Sequence, residues 1–217
     1  MKKIILILFL FCLLYACYYI YNATEDHDID IVLIGDSVVD NLHLKQMDNI
    51  DLINKDFVNK DYHITDVVNI FRYNQEKNIS GKAESIYQLL NEADIVIISI
   101  GTNDIYYKLN DDTKEVYTYL NSIIDNYEKI LKEIKRYDYK KVFVLGYYNI
   151  ANRNNDIFCY VNYKLKNMVN EYGYEYLDLN KILYNNEKYY VKNDTFYLNE
   201  TGYDKIYQLI VEKLEKY

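Results

Sequence analysis

The chain has 217 residues, which fits one α/β domain with a substantial core and a short targeting segment. Its 33 acidic and 25 basic residues give a formal net charge of −8, which argues against binding nucleic acid through a phosphate-neutralising patch. Cys159 is the one cysteine of the predicted domain, so the sequence predicts no intradomain disulfide and no zinc site.

The amino-terminal segment predicts attachment to a membrane. An uncharged apolar run occupies residues 4–21, and as a helix its eighteen residues would span about 27 Å, close to the thickness of a bilayer core. Lys2 and Lys3 precede the run and acidic residues follow it. We therefore expect the amino terminus to stay in the cytoplasm and the domain to lie on the extracytoplasmic face of the membrane.

Three interpretations of this hydrophobic helix remain open. Residues 1–22 are either an uncleaved signal anchor or a lipoprotein signal in which Cys17 becomes lipidated, and a cleaved signal peptide is the third alternative. Residues 23–28 then form a short acidic linker, and residues 29–217 form the domain.

The first predicted strand of the domain ends in a polar turn. Residues 31–34 are four consecutive apolar residues, three of them β-branched, which favours a short buried strand. Gly35 would end this strand, and Asp36 or Ser37 would cap the helix that follows. Because ligands of open α/β sheets bind at the carboxyl ends of strands, Ser37 is either only a helix cap or a hydroxyl at a binding site.

A second buried strand also ends in a polar turn. The apolar run over residues 95–100 leads into Gly-Thr-Asn-Asp at residues 101–104. Two strands of one sheet would thus bring a potential nucleophile, Ser37, and an amide able to donate to an oxyanion, Asn103, to the same edge.

The remaining elements alternate between strands and helices. Further strands are predicted near residues 50–58, 141–146 and 176–179, and further helices over residues 113–135, 156–172 and 202–215, with another helix opened by Ser80 and Gly81. This alternation implies a parallel sheet with helices on both faces. No linker or repeat indicates a second domain, and we expect a monomer.

Three blocks of the chain resemble the SGNH/GDSL hydrolase family. They are the turns at residues 35–37 and 101–104 and the segment 194–203 before the last helix. The resemblance covers about residues 29–215 and implies a three-layer α/β/α sandwich with a mainly parallel sheet, of the flavodoxin-like SGNH hydrolase type. It also implies that Ser37 is the nucleophile and that Ser37 and Asn103 line the oxyanion hole.

The third block departs from the family at its catalytic histidine. The family's late Asp-x-x-His motif supplies acid and base; here Asp194 is present, but Tyr197 stands in the histidine position. A phenol is almost wholly protonated at neutral pH and is therefore a weak base. The glycine that usually joins the oxyanion hole is also missing, since no glycine occurs between Gly35 and Gly81.

Three histidines remain as substitutes for the missing base. His27 falls in the acidic linker, and His43 lies just past the first helix, where it should point away from the hydroxyl of Ser37. His63 lies in the loop that by resemblance borders the oxyanion hole. His63 is therefore either a solvated loop residue or a relocated base.

Two functions follow from these observations. The first is a membrane-tethered serine esterase with an altered triad, acting on acyl or acetyl esters of lipids or cell-envelope glycans. The alternative is a catalytically degenerate module that binds envelope glycan or lipid. Neither function requires a cofactor or a metal. The 28 tyrosines indicate compositional bias first and a sugar-stacking surface second.

Overall fold

Five parallel strands form the central sheet of the computed structural model, which describes residues 29–42, 52–109, 113–137, 141–149, 155–184, 186–192 and 194–215, together with Cys12 and Tyr15. The strands are β1 (Ile29–Gly35), β2 (Leu52–Val58), β3 (Glu76–Ile79), β4 (Lys82–Ser85), β5 (Ile95–Ser99), β6 (Lys141–Leu145), β7 (Glu175–Leu177), β8 (Tyr190–Val191) and β9 (Asp194–Leu198). The helices are α1 (Ser37–Asp40), α2 (Ile64–Arg72), α3 (Ile86–Glu92), α4 (Thr102–Lys108), α5 (Thr113–Ile134), α6 (Asn155–Glu171), α7 (Leu179–Leu183) and α8 (Glu200–Leu214), with a 3-10 turn at Glu187–Tyr189.

The order of the strands in the central sheet is β2–β1–β5–β6–β7. β1 pairs with β2 on one side and with β5 on the other, so the strand order changes direction at β1. Such a reversal opens a crevice outside the carboxyl ends of the two strands, the usual ligand site of open α/β sheets. The turns that follow β1 and β5 lie at this crevice.

Helices cover both faces of the sheet, as the alternating side chains of β1 show. Val32 and Ile34 pack into a core with α2, α3, α5 and α6, whereas Ile31 and Leu33 pack into a second core with α1, α7 and α8. Strands buried on both faces read as continuous apolar runs, which is why the sequence of β1 shows no polar alternation. The predicted three-layer α/β/α sandwich with a parallel sheet is confirmed.

One predicted element is wrong. Ser80 and Gly81 do not open a helix; they form the two-residue turn of an antiparallel hairpin that joins β3 to β4. Both have positive φ, +52° and +88°, as the tight turns of hairpins require. The helix α3 starts only after this hairpin, with Ser85 as its N-cap, where the Ser85 hydroxyl accepts a hydrogen bond from the backbone N–H of Gln88.

The predicted N-terminal hydrophobic helix is not confirmed. Apart from Cys12 and Tyr15, residues 1–28 lie outside the described residues, and His27 and His43 lie outside them as well. In the part of the chain that the structure describes, none of the helices is both long enough and apolar enough to span a bilayer.

Candidate active site

The turn that carries Ser37 depends on the close approach of β1 and β5. Gly35 lies opposite Ser99 and has a φ of +151°. A Cβ on Gly35 would lie 1.7 Å from the carbonyl oxygen of Ser99, so a side chain does not fit there. The backbone N–H of Asp36 donates to the same carbonyl at 2.9 Å. Ser37 therefore begins α1 directly at the edge where β5 ends.

The buried carboxylate of Asp36 joins the two polar turns. It accepts hydrogen bonds from the backbone N–H of Val38 at 3.2 Å, as the N-cap of α1, and from that of Thr102 at 3.0 Å. Burial raises the pKa of Asp36 to about 7, although both backbone hydrogen bonds act in the opposite direction. The turn of Ser37 and the turn of Asn103 are thus held to each other.

Asn103 fastens a third segment to this edge. Its Nδ2 donates to the carbonyl oxygen of Lys60 at 2.8 Å and to that of Tyr62 at 2.9 Å. Both hydrogens of the amide are used in these contacts. Donation to an oxyanion, the predicted role of Asn103, would therefore require one of these hydrogen bonds to exchange.

The segment that Asn103 holds ends at His63, whose ring contacts Asp104. The Nδ1 atom of His63 lies 3.3 Å from Oδ1 of Asp104. The imidazole is about half exposed, at 46%, whereas the Asp104 side chain is 4% exposed. A buried carboxylate thus faces one nitrogen of a solvent-accessible imidazole. His63 is a candidate from the sequence, whereas Asp104 is not; the sequence signal for Asp104 is its place as the last residue of the Gly-Thr-Asn-Asp turn.

Two further donors fix the carboxylate of Asp104. The backbone N–H of Ile64 donates to Oδ2 at 2.9 Å, and the hydroxyl of Tyr119 donates to Oδ1 at 3.2 Å. Burial and the neighbouring charge of Asp104 raise the pKa of Tyr119 to about 12, so this hydroxyl remains a donor throughout the neutral range. Asp104 therefore connects α4, α5 and the start of α2.

The third block forms the strand β9 and the start of α8. Tyr197 is 55% exposed and the adjacent Leu198 is buried, because successive side chains of a strand point to opposite faces. Asn199 caps α8 through the backbone N–H of Gly202 at 3.1 Å. The side chain of Asp194 is outside the described part of the structure, so its proposed role stays a prediction.

A single open cleft of about 490 Å³ brings the predicted residues together. Ser37, His63, Asn103 and Tyr197 all line it. Five further residues that the sequence analysis did not select complete the lining: Asp61, Thr102, Tyr106, Tyr107 and Tyr148. Within the described residues, no group of three or more His, Cys, Asp or Glu side chains has the arrangement of a metal site. The cleft thus contains a hydroxyl and an imidazole whose Nδ1 faces a carboxylate. It also has an aromatic wall, formed by Tyr106, Tyr107, Tyr148 and Tyr197.

Solved structures of esterases share this fold. A catalytic mutant of an acetylxylan esterase from Geobacillus stearothermophilus is 15% identical with a TM-score of 0.61, over 87% of this chain and 95% of that one. The lipase/acylhydrolase from Enterococcus faecalis is 17% identical with a TM-score of 0.59, over 87% and 96% of the respective chains. At these identities the likeness establishes the SGNH hydrolase fold.

The family itself follows from a sequence match. No curated protein sequence matches the chain significantly. The model of the GDSL-like lipase/acylhydrolase family, however, matches residues 33–205, from the first buried strand into the last helix. Since that match includes both polar turns and the third block, the chain belongs to the GDSL-like lipase/acylhydrolase family.

Proposed function

We propose that the protein is a membrane-tethered, extracytoplasmic carboxylic ester hydrolase in which Ser37 is the nucleophile. The observation that supports this proposal is the shared cleft, which is lined by Ser37, His63 and Asn103. A serine hydroxyl needs a base to remove its proton before it attacks a carbonyl carbon, and an imidazole is the usual base. Membership of the lipase/acylhydrolase family supports the same reaction.

The triad of this esterase is altered. Tyr197 takes the position of the family's histidine in the sequence and lines the same cleft as His63. A phenol that keeps its proton at neutral pH can donate a hydrogen bond to a substrate but removes a proton poorly. The base must therefore come from elsewhere, or turnover must be slow.

The aromatic wall supports acyl or acetyl esters of envelope glycans or lipids as substrates. Tyr107 and Tyr197 are 73% and 55% exposed, although large aromatic side chains usually bury most of their surface. Exposed aromatic faces in a cleft suit the apolar face of a sugar ring or an acyl chain. The acetylxylan esterase among the structural neighbours is named for a glycan ester.

One observation favours the alternative, a binding module without turnover. Both amide hydrogens of Asn103 already donate to the carbonyls of Lys60 and Tyr62. An oxyanion hole loses about 10²–10³ in rate when one donor is removed. If these bonds persist when an ester binds, the cleft would hold the ester without hydrolysing it.

Labelling with a serine-reactive fluorophosphonate separates the two functions. The full-length chain, purified in detergent, should form an adduct that is lost in Ser37→Ala and kept in Ser122→Ala, a matched control on the exposed surface of α5. Absence of any adduct between about pH 6 and 10, with ester binding retained, would support the binding module instead.

The membrane placement has its own test. Protease added to intact cells should degrade the domain if Lys2 and Lys3 hold the amino terminus inside. Complete protection in sealed cells would contradict this orientation. A Cys17→Ala variant that leaves the membrane fraction would indicate lipidation, whereas one that stays would indicate a signal anchor.

A further inference from the structure

We propose that His63, oriented by the buried carboxylate of Asp104, is the general base that activates Ser37. This inference rests on the proposed ester hydrolysis and identifies the residue that replaces the family's missing histidine. It comes from three observations: the fixed position of Asp104, the orientation of the imidazole ring, and the attachment of the loop before His63 to the Asn103 turn.

The position of Asp104 is fixed before any substrate binds. Its two oxygens accept hydrogen bonds from the backbone N–H of Ile64 at 2.9 Å and from the Tyr119 hydroxyl at 3.2 Å. Because these donors come from α2 and α5, they hold the carboxylate between two helices and against the imidazole of His63. A carboxylate held in this way selects the tautomer of a neighbouring histidine.

The ring of His63 turns its Nδ1 toward the carboxylate. Nδ1 lies 3.3 Å from Oδ1 of Asp104, so a proton on Nδ1 would face the carboxylate and Nε2 would be the basic nitrogen. The ring is 46% exposed and lines the same cleft as Ser37. In a serine hydrolase triad the carboxylate faces Nδ1 and Nε2 serves the hydroxyl; the contact of Asp104 with Nδ1 is the first half of that arrangement, and the shared cleft supports the second.

The backbone at and before His63 is also held by hydrogen bonds. Before it, the carbonyl oxygen of Tyr62 accepts from Asn103 at 2.9 Å. At His63 itself, the backbone N–H donates to Oδ2 of Asp66 at 2.8 Å. The backbone that carries the imidazole is therefore attached both to the turn of Asn103 and to the first turn of α2.

The reaction then proceeds in two balanced halves. Nε2 of His63 takes the proton of Ser37 Oγ as this oxygen forms a bond to the ester carbonyl carbon. When the tetrahedral intermediate collapses, the C–O bond to the alcohol breaks, and the alcohol leaves with the proton from Nε2. Water next attacks the acyl-Ser37, gives its proton to Nε2, and the second collapse releases the carboxylic acid as Ser37 Oγ regains the proton.

Hydrolysis of p-nitrophenyl acetate by the full-length chain in detergent tests the base. His63→Gln should lower kcat at pH 7.5 by about 10²–10⁴ with little change in KM. The dependence of the rate on pH should differ between wild type and His63→Gln, because glutamine cannot take up a proton. Asp104→Asn should lower kcat by about tenfold or more, since it disturbs the tautomer.

Controls distinguish a base from a structural residue. His27→Gln, a matched substitution in the predicted linker, should leave the rate unchanged. In His63→Gly, added imidazole should restore hydrolysis above the background of a variant that also carries Ser37→Ala, which a purely structural loss would not allow. Circular dichroism of His63→Gln should match wild type, so a failure of Asp104→Asn to fold leaves the test intact.

The outcomes separate this inference from the proposed function. If Ser37→Ala abolishes hydrolysis but His63→Gln retains the wild-type rate and pH profile, the base assignment is overturned and the esterase stands. Loss of activity in Tyr197→Phe with full activity in His63→Gln would also overturn it, in favour of the phenol. If the wild type neither hydrolyses esters nor reacts with a fluorophosphonate, both proposals are overturned.

Discussion

The carboxylate of Asp36 accepts a hydrogen bond from the backbone N–H of Thr102 at 3.0 Å, and this contact joins the turn of Ser37 to the turn of Asn103. The two turns are far apart in sequence, and each follows a different strand of the sheet. Their relative position therefore depends on a side chain that is completely buried. When burial changes the pKa of a carboxyl group, the stability of the folded chain depends on pH.

The first prediction concerns that pH dependence. Because burial raises the pKa of Asp36 from 3.8 to about 7, the folded chain binds a proton between these values that the unfolded chain does not. The contribution of Asp36 to the free energy of unfolding is thus largest below about pH 4 and declines as the pH rises to 7. Between pH 5 and pH 8, the free energy of unfolding of the wild type should fall by about 2–3 kcal/mol more than that of Asp36→Asn.

Urea unfolding at both pH values measures this difference. Asp125→Asn, on the exposed surface of α5, serves as a control and should follow the wild-type dependence. Identical slopes for wild type and Asp36→Asn would contradict the raised pKa of Asp36.

A second prediction concerns the contact between Gly35 and Ser99. In Gly35→Ala the new Cβ would meet the Ser99 carbonyl oxygen at 1.7 Å, so β1 and β5 would have to separate. We expect the free energy of unfolding to fall by more than about 4 kcal/mol, because losses of this size accompany severe packing defects. Gly81→Ala is the matched control: its φ is also positive, but its Cβ would meet nothing within 4 Å.

Gly81→Ala should lower the free energy of unfolding by only about 1–2 kcal/mol, the cost of a left-handed backbone conformation in a non-glycine residue. Denaturant titration of both variants measures the difference. Equal losses in the two would mean that backbone strain, and not the close approach of the strands, decides the requirement for glycine at residue 35.

A third prediction concerns the two carbonyls held by Asn103. Asn103→Ala leaves the carbonyl oxygens of Lys60 and Tyr62 without these donors, which should cost about 1–3 kcal/mol of stability. Since the same loop carries His63, kcat for an ester should also fall, by about tenfold or more. Calorimetric or urea unfolding and steady-state kinetics measure the two effects.

Asn199→Ala provides the comparison for this third prediction. Asn199 donates in the same way to the carbonyls of Lys188, in the 3-10 turn, and Tyr190, at the start of β8. Its loss should lower stability by a similar amount with a smaller effect on kcat. If both variants reduce kcat equally, the loop of His63 has no special part in the reaction.

The sheet could be predicted because its signals are local. β1 and β5 each contain four consecutive apolar residues, at 31–34 and 95–98, and such runs have few alternatives to a buried strand. The hairpin of β3 and β4 was missed for the opposite reason: Glu76–Ile79 and Lys82–Ser85 are short and mostly polar, so their pairing leaves no apolar pattern. Its turn residues were read as the start of a helix.

The candidate site was predictable only in part. Ser37, Asn103 and Tyr197 follow from the family's motifs, and the loop of His63 from its position between them. The contact between His63 and Asp104 joins residues 41 positions apart in the sequence, and no local pattern encodes such a pairing. The use of both Asn103 hydrogens is likewise a result of how the loop at residues 60–62 folds.

A final prediction tests whether the third block still occupies the family's base position. Tyr197 lines the cleft with Ser37, on a strand whose following residue, Asn199, is fixed by three hydrogen bonds. Tyr197→His in a His63→Gln background should therefore place a new imidazole near Ser37 and raise ester hydrolysis by about tenfold or more at pH 7–8. Tyr163→His, a matched change at an exposed tyrosine of α6, should restore nothing in that background. Equal rates for the two double variants would show that β9 no longer presents its side chain to the nucleophile.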